Sequence, residues 1–395
     1  MLAAGEGLRM RPLTTSMPKV MLRVANKPIL EHALESLIKA GIRDVIIVVG
    51  YKKEQIMSYF EDGNKWGANI RYAFEEKQLG TAHALSKVAG MVQGPFLVYP
   101  GDNIIGSDAI KHFLDKTSKD GESLLVVESA RPAKYGYVVA SGNHIQGIEY
   151  GLEPAVGNLI STGIYYFQQD IFDIIEEAAK NGMHFLTDVA LSIIEKRKTL
   201  EGIAAPGRWM DTVHPWDMLD ANENALSDME IKTQGSISQK ATIKGPVSVG
   251  EGSVIREGCY IQGPVIIGAG CEIGPNVVIT PSTTIGDNVK IEAYTKIEQS
   301  VIMDDASIGV FSNINHTVIG QGVTIGGHFT TLVGKCDIKT LQGYHKMDHM
   351  GSIIGDDTTI SPHVACLPGA IIGADCEIGP FNKIDGALPN ESKVV

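Results

Sequence analysis

Val265-Ile266-Ile267-Gly268-Ala269-Gly270-Cys271-Glu272-Ile273-Gly274-Pro275-Asn276-Val277-Val278-Ile279 returns an aliphatic residue at every sixth position, at Ile267, Ile273 and Ile279. The period runs outward in both directions. Ile237, Ile243, Val249, Ile255 and Ile261 precede the stretch and Ile285, Ile291 and Ile297 follow it, eleven matches in succession. The phase slips by one residue at Ile302, Ile308 and Ile314, and again at Ile319 and Ile325. After an interruption it resumes as Ile354, Ile360, Cys366, Ile372, Ile378 and Ile384. A helix needs a period near 3.6 and a simple strand a period of 2, so neither fits. A period of six describes one short strand and one turn per face of a triangular coil, with the aliphatic side chain filling the axis. Gly often follows the apolar position, as in Ile267-Gly268, Ile285-Gly286 and Ile372-Gly373.

This pattern resembles the hexapeptide-repeat left-handed β-helix, which is the fold expected for residues 237–386. Residues 327–350 carry no repeat and hold Gly343, Lys346, Asp348 and His349, so they are expected to form a loop ejected from the coil. Residues 227–236 read as a linker and 387–395 as a tail.

Upstream the period changes, and residues 1–226 read as a separate α/β domain. Pro28 to Ala40 is an amphipathic helix with Pro at its first turn and Gly41 as its stop. Asp44 to Gly50 is an apolar run bounded by turn residues, which fits a buried parallel strand. Helices over Lys52–Phe60 and Thr81–Met91 then alternate with strands over Asn69–Glu75 and Pro95–Pro100. A βαβ succession predicts a mostly parallel or mixed sheet with helices on both faces. Ligands of such sheets bind outside the carboxyl ends of the strands.

Composition narrows the function. The formal charge of −12 and the lack of a basic run argue against nucleic acid as a partner. No apolar stretch reaches the roughly 18 to 20 residues needed to cross a bilayer, and no signal peptide is evident. All five cysteines (Cys259, Cys271, Cys336, Cys366 and Cys376) lie in the second half, none in a C-x-x-C pair. They read as reduced, mostly buried thiols of a cytoplasmic protein rather than as zinc ligands or a redox dithiol.

The chemistry-bearing stretch is Leu2-Ala3-Ala4-Gly5-Glu6-Gly7-Leu8-Arg9-Met10-Arg11-Pro12-Leu13-Thr14, followed by Pro18-Lys19. A strand leads into a Gly-rich turn whose amides can approach phosphate oxygens, and cations follow within the next turns. By itself Gly5-x-Gly7 is a weak signal, compatible with a tight turn flanked by solvated cations. Leu-x-x-Gly-x-Gly-x-Arg with Pro-Leu-Thr and Pro-Lys resembles the signature of the sugar-phosphate nucleotidylyltransferases. That family includes glucose-1-phosphate thymidylyltransferase and bifunctional UDP-N-acetylglucosamine pyrophosphorylase, and its first domain is Rossmann-like.

The resemblance implies roles for individual residues. Leu2, Ala3, Ala4, Gly5 and Gly7 would line the nucleotide, and Gln78-Leu79-Gly80-Thr81-Ala82-His83 matches the segment that reads the base, with Gln78, Gly80 and Thr81 in contact. Asp102 in Pro100-Gly101-Asp102 and Asp211 in Trp209-Met210-Asp211 would hold Mg²⁺ on the α-phosphate. Taken singly, Asp102 would read as a helix cap and Asp211 as a turn residue; their shared order favours a site. Arg9 and Lys19 would be the catalytic cations, stabilising the α-phosphate and leaving pyrophosphate. Lys134-Tyr135-Gly136-Tyr137-Val138 and Glu149, with Ser161 and Thr162, match the sugar-contacting region. The implied reaction is attack of a sugar 1-phosphate on the α-phosphorus of a nucleoside triphosphate, UTP or dTTP on the strength of Gln78.

Three departures qualify the match. Only Met1 to Ala4 precede Gly5, so either the start has been assigned downstream of the real one or the first strand is truncated, the latter with reduced stability or activity expected. Glu149-Tyr150-Gly151 stands where the family has Glu-Lys-Pro, and Ser161-Thr162-Gly163 where Asn-x-Gly is common. In bifunctional relatives the β-helix transfers an acetyl group from acetyl-CoA with a catalytic His and a nearby Tyr; here Val310 and Asn313 occupy those positions, with His316 six residues on. A general base cannot be replaced by Val, so the β-helix is expected to serve assembly into a homo-oligomer, a trimer or a multiple of it. His316, His328, His345 and His349 are then expected at the surface or in subunit contacts. The competing readings are a working bifunctional acetyltransferase/uridylyltransferase and a regulatory paralogue that binds a nucleotide sugar without turnover.

Overall fold

The structure is a computed structural model that describes residues 1–128, 136–149, 159–197, 200–207, 209–227, 229–340 and 343–395. It divides into two compact units that do not follow the chain simply. The first holds Met1–Glu6, Pro18–Met21 and Ile29–Asp211, and the second holds Gly7–Met17, Leu22–Pro28 and Thr212–Val395.

In the first unit β1 (Leu2–Ala3), β2 (Asp44–Val49) and β3 (Asn69–Phe74) form a parallel sheet in that order, and Leu2 also bridges Pro100 in parallel. Val45, Ile47, Val48 and Val49 of β2 are buried, as a run of β-branched residues with no polar alternation requires. Helix α1 (Ile29–Lys39) buries Ile29, Leu30, Ala33, Leu34 and Leu37, one stripe at helical spacing, and Gly41 at φ 95° ends it. Helices α2 (Lys53–Phe60) and α3 (Thr81–Ser86) flank β3. The helix expected to run from Thr81 to Met91 stops early, after Ser86, and passes into turns.

A second sheet contains β4 (Phe96–Val98), β6 (Glu122–Glu128), β7 (Tyr137–Ser141), β8 (His144–Glu149), β9 (Leu159–Phe167) and β10 (Leu200–Ala204). Its order is β4-β9-β6-β10-β8-β7, and only the β6–β10 pairing is parallel. The first sheet is therefore wholly parallel and the second is mixed. Between β4 and β6 lie β5 (Asn103–Ile105) and α4 (Ser107–Lys116); β5 pairs antiparallel with β11 (Trp209–Asp211). Helices α5 (Ile171–Lys180) and α6 (Leu186–Arg197) cover the sheet and share a core with Leu124, Val138, Ile145 and Phe167.

The second unit carries α7 (Asp217–Leu226) and then a left-handed β-helix of three parallel sheets with nine, eight and eight strands. The aliphatic positions stack vertically, as in Ile255↔Ile273↔Ile291↔Ile308↔Ile325. The phase slips have a local cause. Between Ile297 and Ile302, and between Ile314 and Ile319, the corner is one residue shorter, while Ile285↔Ile302 and Ile302↔Ile319 keep their vertical pairing. Four of the cysteines lie in the buried core of the coil and are free, and of these Cys366 takes one of the six-residue positions; burial pushes its thiol up to about 12, so it packs as a small apolar group. Gly334–Thr340 and Gly343–Met350 form an antiparallel hairpin inserted between coils.

Along one corner Tyr294, Phe311, His328, His363 and Phe381 all adopt left-handed backbone. Their rings stack with centroids 5.0, 5.2, 4.5 and 4.8 Å apart. Among the described residues no helix is long and apolar enough to cross a membrane.

Candidate active site

β1 is short, but it is held on both sides. The Leu2 amide donates to Tyr99 O at 2.9 Å, the Gly101 amide donates to Leu2 O at 2.8 Å, and the Tyr51 amide donates to Ala4 O at 3.1 Å. These bonds fix the chain end of β1 beside Pro100-Gly101-Asp102. The approach is close enough to require glycine. A Cβ at Gly101 would lie 2.9 Å from Leu2 O, and one at Gly50 would lie 2.6 Å from Glu75 O and 2.7 Å from Ala4 O. At Gly5 an added Cβ would meet nothing within 4 Å.

Lys19, only 7% exposed, brings two carboxylates together. Its Nζ lies 2.5 Å from Asp102 Oδ2 and 3.6 Å from Asp211 Oδ1. The register of β5 against β11 places them: Asp211 pairs with Asn103, the residue after Asp102. Asn103 is fully buried and donates through Nδ2 to Thr162 O at 2.6 Å, which pins the carboxyl end of this turn to β9. Tyr99, also buried, donates through its hydroxyl to Asn103 O at 3.3 Å, and desolvation pushes its phenol well above the ordinary range. An ammonium thus stands between two carboxylates in a nearly dry place. Oxygen donors from a turn and a strand converging on one cation match the needs of a hard divalent ion that shares its remaining positions with phosphate and water. The residues present therefore fit a metal, although among the described residues no cluster of three metal-ligating side chains occurs.

The segment expected to read the base is held by a residue that the motif does not contain. Glu75, 1% exposed at the end of β3, accepts from the Lys77 and Gln78 amides through Oε1 at 2.7 and 2.9 Å, and its Oε2 lies 2.5 Å from His83 Nδ1. Gln78 is exposed and held at φ 49°. Gly80 cannot be replaced, because a Cβ there would collide with His184 O. That carbonyl accepts from the Ala82 amide at 2.8 Å, and Thr81 Oγ1 accepts from the Leu186 amide at 2.9 Å. Val49, Gly50, Lys53, Phe74, Glu75 and Gln78 line a cleft of about 220 Å³ at the carboxyl ends of β2 and β3. Glu75 and His184 were not recognised from the sequence. An acid at the end of an apolar strand reads as a solvated turn residue, and a backbone carbonyl carries no signal at all.

The predicted sugar residues also converge. Gly136, at φ 87°, accepts through its carbonyl from the Ser161 amide at 3.0 Å, and Glu149 pairs with Tyr137 across β8 and β7. Ser161 and Thr162 are fully buried in an irregular turn of β9. Ser161 Oγ accepts from the Gly163 amide at 3.2 Å, while Thr162 Oγ1 donates to Leu125 O at 2.7 Å. Both hydroxyls are thus engaged with backbone groups of β6 and β9. Lys134, Tyr135, Tyr150 and Gly151 lie outside the described residues.

Gly7 and Arg9 belong to the second unit. Gly7, at φ 73°, starts a string of turns in which Gly7 O accepts from the Met10 amide at 2.8 Å and from Thr14 Oγ1 at 2.9 Å. Met10, Leu13 and Thr14 are buried, and Arg9 just before them is exposed. In the β-helix His316 is half-buried, its Nδ1 2.7 Å from Asn315 Oδ1 and its ring 5.8 Å from that of His349. Burial, then the neighbouring His349, lowers its basicity. His345 packs on His214 and Trp216, with centroids 4.5 and 5.4 Å away.

Comparison with known proteins places the chain among its relatives. Residues 1–228 match the nucleotidyl transferase family, and residues 261–364 match the GMPPB C-terminal domain. The bifunctional protein GlmU of Methanococcus maripaludis is 35% identical over 100% of this chain and 96% of its own length. The low-salt glycan biosynthesis nucleotidyltransferase Agl11 of Haloferax volcanii is 34% identical over 82% of this chain and 93% of its own. A bifunctional sugar-1-phosphate nucleotidylyltransferase/acetyltransferase of Sulfurisphaera tokodaii is 30% identical over 96% of this chain and 95% of its own. Among solved structures, a Bacillus anthracis protein assigned as a glucose-1-phosphate thymidylyltransferase, with sucrose bound, is 27% identical. It superposes with a TM-score of 0.54 over 58% of this chain and 95% of that one.

Proposed function

This chain belongs to the nucleotidyl transferase family, and we propose that it joins UTP or dTTP to glucose 1-phosphate or N-acetylglucosamine 1-phosphate with Mg²⁺. Nucleotidyl transfer to a sugar phosphate is the activity of the family. The observation that supports this reading most is the pair Asp102 and Asp211 gathered on Lys19 Nζ, at 2.5 and 3.6 Å, where β1 and the Pro100–Asp102 turn end side by side.

Both reactants are anions, so the protein's task is to cancel repulsion and hold them in line. Asp102 and Asp211 would hold a divalent ion, which supplies charge neutralisation at the α-phosphate. Lys19 keeps the two carboxylates from repelling each other and would offer its ammonium to a phosphate oxygen. The open space at Gly5 leaves room for phosphate against the backbone, and Leu2 to Ala4 supply the wall beneath it. Glu75 holds the Lys77–Gln78 turn so that Gln78 faces the base. Gly136, Glu149, Ser161 and Thr162 form the floor of the sugar site. Arg9 is the cation assigned to the leaving pyrophosphate. No general base is needed, because the attacking phosphate oxygen is already ionised.

The test is pyrophosphate release with Mg²⁺, crossing UTP, dTTP, GTP, CTP and ATP with several sugar 1-phosphates. Turnover is expected with a UTP or dTTP pair, and Asp102→Asn is expected to lower it by about 100-fold or more. Near-normal turnover in that variant would remove the metal role. Silence of the wild type across the panel would favour a protein that binds nucleotide sugar for regulation.

The names of several relatives include a second activity. In the coil Ile308–Gly320 of this chain Val310 and Asn313 offer no base, so acetyl transfer is not part of the proposal. Consumption of acetyl-CoA with glucosamine 1-phosphate would overturn that exclusion. The β-helix is proposed to support a homo-oligomer, a trimer or a multiple of it, which sedimentation would detect.

A further inference from the structure

Within the second unit, Gly7–Met17 and Leu22–Pro28 lie against one edge of the β-helix, and the same device holds them four times. Asp287, Asp304, Asp356 and Asn390 occupy equivalent positions two residues beyond the stacked aliphatics Ile285, Ile302, Ile354 and Leu388. Each uses Oδ1 to accept an amide of the preceding coil: Ala269 N to Asp287 at 2.8 Å, Asp287 N to Asp304 at 2.8 Å, Gln321 N to Asp356 at 2.8 Å and Ala374 N to Asn390 at 3.0 Å. The glycine after each aliphatic residue makes the approach possible; a Cβ at Gly268 would lie 2.5 Å from Asp287 Oδ1 and one at Gly286 2.5 Å from Asp304 Oδ1.

The other side-chain atom of each rung turns outward to the N-terminal segments. Asp287 Oδ2 and Asp304 Oδ2 share the Arg23 guanidinium, at 3.2 Å from Nη1 and 2.9 Å from Nη2. Asp356 Oδ2 accepts from Ser16 Oγ, and Asn390 Nδ2 donates to Thr15 Oγ1 at 3.3 Å. Asn26 Nδ2 adds a bond to Ile285 O at 2.5 Å. Asp356 is only 2% exposed.

We infer that Ser16 and Arg23 are positioning residues for nucleotidyl transfer: the β-helix holds the signature segment 7–17 through them and thereby sets where Arg9 stands. This rests on the assignment of Arg9 to the pyrophosphate made above. The self-contained turns of 7–15 give the segment its shape, whereas the rungs give it a fixed place. Fork geometry makes Arg23 hard to replace, since a guanidinium spans two carboxylates of successive coils and an ammonium reaches one.

The experiment compares full-length wild type, Ser16→Ala/Arg23→Gln and Ser16→Ala/Arg23→Lys, none of which alters a residue assigned to substrate contact. The Gln double variant is expected to lower kcat by about ten- to a hundredfold, the scale of a misplaced catalytic group. KM for the sugar 1-phosphate should stay within about twofold, and the Lys variant should recover part of the loss. Hydrogen exchange of amides in residues 7–17 should quicken about tenfold in the Gln variant while the β-helix coils remain protected. Unchanged exchange over 7–17, or quicker exchange with unchanged kcat, overturns the inference. Wild-type silence in the pyrophosphate assay would instead defeat the functional reading, and the exchange result would still decide whether the rungs hold the segment.

Discussion

Two glycines of the site are glycine for opposite reasons, and substitution separates them. At Gly50 an added Cβ would press on backbone oxygens of Glu75 and Ala4, so Gly50→Ala is expected to destabilise the first unit by about 2 to 4 kcal/mol. At Gly5 it would meet open space, so Gly5→Ala is expected to leave thermal unfolding unchanged. It should still lower pyrophosphate release, because the methyl stands where phosphate would lie; a fully active Gly5→Ala would remove Gly5 from the site. Glu75→Ala frees the amides of Lys77 and Gln78 and should raise KM for the nucleotide by about tenfold, leaving KM for the sugar 1-phosphate unchanged. Equal changes in both would point to general loosening. The Lys19–Asp102–Asp211 group was legible because each member sits in a recognisable run, Pro18-Lys19, Pro100-Gly101-Asp102 and Trp209-Met210-Asp211. Glu75 was not legible. Its importance comes from which amides it meets, and that depends on how β3 turns after Phe74.

The β-helix was the clearest element to read, since a period of six excludes helix and simple strand alike and each Ile marks one face of a coil. Even its two phase slips had meaning, as corners one residue shorter. The hairpin Gly334–Met350 was harder; loss of the period marks a departure from the coil and does not say that the departing chain pairs with itself. The antiparallel strands of the second sheet were hidden for a related reason: β8 and β7 are joined by a tight turn, a local feature that a βαβ pattern does not announce. The rungs make a prediction of their own. Burial, helped by the charges of Asp357 and Asp375 and opposed by bonds from Ser16 and Gln321, pushes the Asp356 carboxyl up to about 6 from an ordinary value near 3.8. A carboxylate whose basicity is raised by folding is easiest to keep when protonated, so its cost is absent below about pH 4 and complete above about pH 6. Asp356→Asn should therefore gain stability relative to wild type as pH rises from 4 to 7, by at most about 3 kcal/mol. Urea unfolding at the two pH values checks it, and a gain of equal size at both would show that the charge is not what matters.

Across the whole molecule the chain visits its two compact units alternately before residue 29. The change of period near residue 227 gave no sign of this, because segments 7–17 and 22–28 look local to the domain that surrounds them in sequence. A protein ended at residue 226 would leave those segments without the coils they pack with. It should aggregate or turn over at least about tenfold more slowly than the full chain, and full activity would show that the coils are dispensable. The rungs Asp287, Asp304, Asp356 and Asn390 also make the β-helix a ruler. Five coil steps separate the first from the last, about 24 Å at the strand spacing, and Thr15 and Arg23 bond to the two ends of that span. Coils can be added or lost before Asp287 or beyond Asn390 without disturbing the fit. Between them an extra coil would move one mark by about 5 Å, so the number of turns in that stretch is as constrained as any residue of the site.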